Sequence, residues 1–172
     1  LNKKLGFVLL PDYQFVFPKK SYFNAANFAS LPSFTRNVEH IVALSQQMGA
    51  KPVLITFAYH LPANYSRQAF LDQQLDYQNP DHYDSRDVYN WGSPAYVREG
   101  LMRENIALRN MAVQHKISLI DIDAAMSGRG EWFGDVCHFN NEGVNVFAGH
   151  VADAIAAQIT STAEQSAPVL SP

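Results

Sequence analysis

The amino-acid sequence predicts an α/β domain, a three-layer α/β/α arrangement around a mainly parallel sheet. Three observations predict it. A helical apolar stripe, a glycine and a continuous apolar run follow one another between positions 33 and 57. The same helix-then-strand order returns between positions 93 and 122. A last amphipathic stretch to Ile159 closes the alternation. Continuous apolar strands suit a sheet buried on both faces, and parallel strands need helical crossovers between them.

The elements follow in chain order. Leu5-Gly6-Phe7-Val8-Leu9-Leu10 reads as a short buried strand stopped by Pro11-Asp12, and Tyr13 to Phe17 as a second before Pro18. Ser33 is placed to cap a helix running to Met48, in which Phe34, Val38, Ile41, Val42 and Ser45 recur on one face. Gly49 suits the left-handed residue after that helix. Pro52 to Phe57 then reads as a buried parallel strand.

Residues 58–93 form a long connection rich in Tyr, His, Asp, Asn and Gln, with a short helix expected between Ser66 and Leu75. Such a connection inside a compact domain is either a lid or binding loop, or a surface excursion whose tyrosines pack back on the domain. Tyr59, His60 and Trp91 are its candidate substrate-binding residues.

Ser93-Pro94 has the form of an N-cap followed by proline at the first helical position. The helix it opens is expected to reach His115, with Val97, Leu101, Leu108 and Ala112 inward. Ile117 to Ile122 reads as the next strand and Ala124 to Met126 as one helical turn, broken at Ser127-Gly128-Arg129-Gly130. Asn140 or Asn141 is expected to cap the last helix, and the Ser/Thr/Ala/Pro-rich residues 160–172 to form a flexible tail beyond a single domain at 1–159.

Asp135 and His138 are the candidate catalytic residues. They lie in a turn that links a Gly/Trp-rich loop to the last helix. A carboxylate that accepts from Nδ1–H of a histidine fixes the tautomer and leaves Nε2 as a base. The bland alternative is a loop aspartate and a histidine packed near a helix start. Cys137 beside His138 admits a Cys–His dyad or a small packed residue, and neighbours in sequence point apart. No His-Glu-x-x-His motif and no cysteine pair is present, so convergence of Asp135, His138, His60 and His82 on a metal rests on composition alone, and no metal is predicted. Asp121 ends a strand, where it either faces the site or binds local backbone amides.

These residues carry a resemblance. Asp135-Val136-Cys137-His138-Phe139-Asn140-Asn141-Glu142-Gly143 is similar to the last block of the SGNH (GDSL-type) serine hydrolases, an Asp-x-x-His turn entering a C-terminal helix. Phe34 to Phe57, and Arg103 to Ile122, are similar to the family's preceding helix–strand segments. The resemblance covers residues 33–159 and implies a flavodoxin-like fold short of its N-terminal strands. It implies hydrolysis of acyl or acetyl esters through Ser, His and Asp, with His138 as base, Asp135 as its orienter, and no cofactor. The aromatic and polar loop points to a carbohydrate ester as substrate.

The family's Gly-Asp-Ser block is missing, since Gly134-Asp135 is followed by Val136. Its oxyanion-hole glycine and Gly-x-Asn-Asp block are not found either. The nucleophilic serine is therefore expected from sequence upstream of Leu1, an N-terminal remainder of the same protein that would act as partner. Ser21, Ser30, Ser33 and Ser93 are internal alternatives, none on a strand–turn–helix elbow. A different class of function, a glycan-binding or ligand-binding domain that keeps the fold without the nucleophile, stays open. A half-sheet would leave an apolar edge, so the chain is expected to associate.

Composition bounds the rest. The chain has 172 residues, 47% hydrophobic and 17% charged, which suits one globular domain. A net charge of −3 without a basic stripe argues against nucleic acid. No apolar run has the length of a membrane span.

Overall fold

A computed structural model describes residues 28–78 and 87–165. The strands expected at Leu5–Leu10 and Tyr13–Phe17 lie outside the described residues, as do Ser21 and His82. The described chain is mixed α/β and mostly helical. Helix α1 spans Ser30–Gln47, strand β1 Val53–Ile55, and α2 Arg67–Leu71. A 3₁₀ turn at Val88–Asn90 precedes α3, Pro94–His115. Strand β2 is Ser118–Ile120, α4 is Ile122–Met126, and a second 3₁₀ turn at Gly130–Trp132 leads to α5, Asn141–Gln165.

The two strands pair in parallel, with Val53 opposite Ser118, Leu54 opposite Leu119 and Ile55 opposite Ile120. The two helix-to-strand turns before them are built alike. After α1, Gly49 stands at φ +75°. Its N–H donates to Gln46 O at 3.0 Å and that of Ala50 to Ser45 O at 2.9 Å. This double closure satisfies carbonyls that the helix end leaves over. After α3 the left-handed position falls on Lys116, φ 54°, with Ile117 N–H donating to Ala112 O at 3.0 Å. No glycine marks that second turn in the sequence.

Several differences from the sequence pattern concern the ends of elements. Helix α1 starts at Ser30 after Ala29, so Ser33 sits in the first turn and not at the cap. Phe28, just before the helix, stacks on Tyr96 of α3 with ring centroids 4.6 Å apart, and Leu31 lines the same cleft as Tyr96, Gly100 and Leu101. Helix α5 runs to Gln165, past the Ile159 at which the apolar stripe ends. The Ser, Thr and Ala residues there tolerate a helix that is already nucleated, because propagation is far easier than nucleation. Helix α2 stops at Leu71, short of the expected Leu75, and both strands are three residues long, shorter than the runs Pro52–Phe57 and Ile117–Ile122. The expected caps are present: Ser66 caps α2 through Ala69 N–H at 3.0 Å, and Ser93 caps α3 through Tyr96 N–H at 3.2 Å.

The core has two apolar groups. Ala58, Ile120, Ile122, Met126 and Phe133 form one, and α5 covers it with Val146, Phe147 and Val151. Leu61, Tyr65, Phe70, Val88 and Val136 form the other, which ties the long connection to the Asp135–His138 turn. Helix α3 packs on both strands and on α1. Ile55 and Phe57 stay 38% and 45% exposed, so the β1 segment keeps apolar surface uncovered by the described residues. Among the described residues no helix is long and apolar enough to cross a membrane.

Candidate active site

The segment 133–143 is held from both ends. Phe133 and Phe139 pair as an antiparallel bridge, and Gly134 N–H donates to His138 O at 2.8 Å. Asn140 N–H donates to Trp132 O at 3.0 Å, while the Asn140 side-chain oxygen accepts Gly143 N–H at 2.8 Å and caps α5. Gly143 is required by close approach, since a Cβ there would lie 2.1 Å from the Trp132 carbonyl oxygen. The loop between these closures buries Asp135 and Val136 and turns His138 outward. His60 N–H, just beyond β1, donates to Val136 O at 2.9 Å and fixes the turn beside the carboxyl end of the sheet. Ligand sites of open α/β sheets lie outside that end.

Inside the turn, Asp135 is 1% exposed. Its Oδ1 accepts the backbone N–H of Cys137 at 3.0 Å and of His138 at 2.9 Å. Both carboxylate oxygens lie 2.9 Å from His138 Nδ1. The His138 side chain is 54% exposed, with no hydrogen bond on Nε2 from any described residue. A buried carboxylate on Nδ1 selects the Nδ1–H tautomer and presents Nε2 outward as a proton acceptor. The sequence-predicted pair is therefore together, in the geometry of a base and its orienter.

Two clefts meet at this turn. One, of about 420 Å³, lies between the start of α1, Trp91 and α3, with Cys137 in its wall. The other, of about 350 Å³, is lined by Ile55, Phe139 and Phe147. Phe57 and Cys137 line both. In the first, burial raises the Glu104 carboxyl above its ordinary pKa, and the Arg103 guanidinium stands 4.7 Å over the Phe28 ring.

The other predicted residues divide. Trp91, 46% exposed, is a wall of the first cleft. Tyr59 packs against the apolar group containing Val136, and burial raises its phenol pKa. His60 is buried; its Nε2 lies 2.7 Å from Asp76 Oδ1 and its ring meets Tyr77 and Phe133. It lines neither cleft, and through its backbone it positions the turn. Of the serines, Ser30 lines the first cleft, and Ser93 is occupied as a cap. No described serine hydroxyl hydrogen-bonds to His138. Cys137 Sγ is 3.5 Å from His138 Nδ1, the nitrogen that already faces Asp135. That geometry does not offer the thiol a base.

Two residues that sequence reading passed over position the site. Asn105 is fully buried; its side chain accepts Phe57 N–H at 2.8 Å and donates to Phe57 O at 2.8 Å. An asparagine within an otherwise apolar inward face was the available signal. Arg109 grips Asp121 at 2.7 and 2.8 Å and Asp123 at 2.7 Å. Asp121 also accepts Thr56 Oγ1–H at 2.8 Å and Ala124 N–H at 3.2 Å, so it ties the strand ends together instead of facing substrate.

No family model, curated protein or solved structure matches this chain.

Proposed function

We propose that the chain is the base-and-orienter part of an SGNH-type serine ester hydrolase. The observation that carries this reading is the buried Asp135 carboxylate with both oxygens 2.9 Å from Nδ1 of an outward-facing His138. The helix–strand repeats and the position of the turn beside the carboxyl end of β1 support a three-layer, flavodoxin-like parent fold. In the proposed reaction His138 Nε2 takes the proton of a serine hydroxyl as that oxygen attacks the ester carbonyl. Asp135 stabilises the imidazolium, which then protonates the leaving alcohol. A water activated by the same nitrogen releases the acid. The serine and the oxyanion donors come from outside the described residues. The substrate is an acyl or acetyl ester, with a carbohydrate alcohol suited to the Trp91 and Tyr96 walls of the larger cleft.

An active-site-directed fluorophosphonate applied to the intact protein tests this. Covalent labelling that disappears in His138→Ala is the expected result. Absence of labelling sinks the hydrolase reading. A second reading, a glycan-binding or ligand-binding domain without turnover, draws on the same cleft and on the absence of a serine at His138 among the described residues. Sugar binding that persists in His138→Ala, without labelling of the parent chain, would select it.

A further inference from the structure

We infer that Asp135, Cys137 and His138 form a binding site for one borderline-soft divalent cation with the chemistry of Zn²⁺. A carboxylate, a thiol and an imidazole are the donor set such an ion prefers. Their ligand atoms all lie within 4.8 Å of one another. Cys137 Sγ and His138 Nδ1 are 3.5 Å apart. A tetrahedral ion with bonds of about 2.0–2.3 Å spans separations of roughly 3.3–3.6 Å between its ligands. To meet that spacing the 2.9 Å between Nδ1 and the carboxylate has to open, and the widest separation of the set, 4.8 Å, has to close by rotation of the Cys137 side chain.

Part of the frame for the ion is in place. The Asp135 carboxylate is 1% exposed and is oriented by two backbone N–H groups, the kind of outer hydrogen bonding that fixes metal-binding carboxylates. All three donors sit in one turn closed by the Phe133–Phe139 bridge, so little chain has to be ordered on binding. Cys137 also lines the larger cleft, which leaves a side open for a water or a substrate oxygen as fourth ligand.

Binding changes the protonation of the turn in a defined way. The ion takes the place of the Nδ1 proton, and in the neutral ring that proton moves to Nε2. The thiol loses its proton to solvent, so one proton is released for each ion bound. His138 then presents N–H outward and no longer a lone pair. The cation thus switches off the base; this regulatory consequence, unlike binding itself, rests on the ester-hydrolase reading.

The test uses the full chain, reduced and stripped of metal with a chelator. Competition against a chromogenic zinc indicator should give one Zn²⁺ per chain, with at least tenfold weaker binding in Cys137→Ser and in Asp135→Asn. The Co²⁺ complex should show thiolate-to-cobalt charge-transfer absorption. Mg²⁺ should not compete. No saturable Zn²⁺ binding, equal binding by Cys137→Ser, or loss of binding on replacing His40, His115 and His150 would overturn the site. Should either variant fail to fold, the wild-type cobalt spectrum decides, and absence of the thiolate band is then a refutation. Fluorophosphonate labelling reads the base separately. Zn²⁺ that binds without suppressing the label of a reactive parent protein overturns the switch alone.

Discussion

One oxygen of Asp135 serves both the backbone and the ring of His138: Oδ1 is 2.9 Å from His138 N and 2.9 Å from its Nδ1. The turn that creates the dyad is therefore held by the same carboxylate that orients it. Asp135→Asn separates the two roles. The amide oxygen can still accept the N–H groups of Cys137 and His138, so the melting temperature should change little. The ring loses its anionic partner and the selected tautomer, which under the proposed ester-hydrolase reading costs on the order of 10⁴-fold in turnover. Ester turnover by the intact protein measures it, beside a thermal melt. Activity within tenfold of wild type would remove Asp135 from the mechanism.

The glycines of α5 make opposite predictions. At Gly143 an added Cβ would meet Trp132 O at 2.1 Å, whereas at Gly149 it meets nothing within 4 Å. Gly143→Ala should destabilise by about 2 kcal/mol or more, through displacement of the backbone that closes the Asp135 turn. Gly149→Ala should stabilise by about 0.5–1 kcal/mol, the ordinary gain of alanine over glycine within a helix. Urea unfolding of both variants is the check. A loss at both positions would mean that α5 packs differently at its start.

The short-range half of this architecture was legible in the sequence. Ser66, Ser93 and Gly49 act as the caps and turn residue that local chemistry predicts, because each satisfies backbone groups within a few positions of itself. Asp135 and His138 were legible for the same reason, since their contact is made inside one turn. Long-range pairings were not. Nothing in the spacing announces that Asn105 reaches Phe57, or that Arg109 reaches Asp121 and Asp123, because those contacts exist only after α3 has packed on the strands. Lys116 was hidden differently: a left-handed turn usually declares itself by glycine, and here a lysine occupies it.

Lys116→Gly follows from that observation. A non-glycine residue at φ 54° and ψ 44° carries a steric cost of roughly 1–2 kcal/mol. Glycine removes it, and the added freedom of the unfolded chain returns part of the gain. A net stabilisation of about 0.5–1 kcal/mol is expected in urea unfolding. The cleft and the dyad lie elsewhere, so fluorophosphonate labelling should be unchanged. Destabilisation would indicate that the lysine side chain makes an interaction that outweighs its backbone strain.

Asn105 is the polar pin of the larger cleft. Its amide satisfies both backbone groups of Phe57, which lines both clefts. Asn105→Leu would leave the Phe57 N–H and C=O without their partners, a cost of about 2–4 kcal/mol for two groups. Asn105→Asp keeps an acceptor for the N–H and sets a carboxylate against the C=O, so it should be destabilising as well and more so at neutral pH than in acid. Denaturant midpoints for the two variants at both pH values test this. An Asn105→Leu protein as stable as wild type would show that other groups satisfy Phe57.

The ion cluster at the strand ends gives a stability that depends on pH in a known direction. Hydrogen bonds from Arg109 dominate in lowering the Asp121 pKa to about 2, from an ordinary carboxylate value of about 3.9 in the unfolded chain. A group whose folded pKa is depressed contributes fully above the unfolded value and loses that contribution as pH falls through the folded one. The window is therefore from about pH 4 down to about pH 2. The Asp121 side chain is 34% exposed, so screening reduces the contribution to roughly 1 kcal/mol. Asp121→Asn should lose that amount at neutral pH and show a flatter stability profile across the window. Thr56 Oγ1–H and the Ala124 N–H both donate to Oδ1 of Asp121, and the asparagine oxygen can keep both contacts, which isolates the ionic part. Urea unfolding at a series of pH values compares the two proteins. Parallel profiles across the window would show that Arg109 and Asp121 do not contribute as an ion pair.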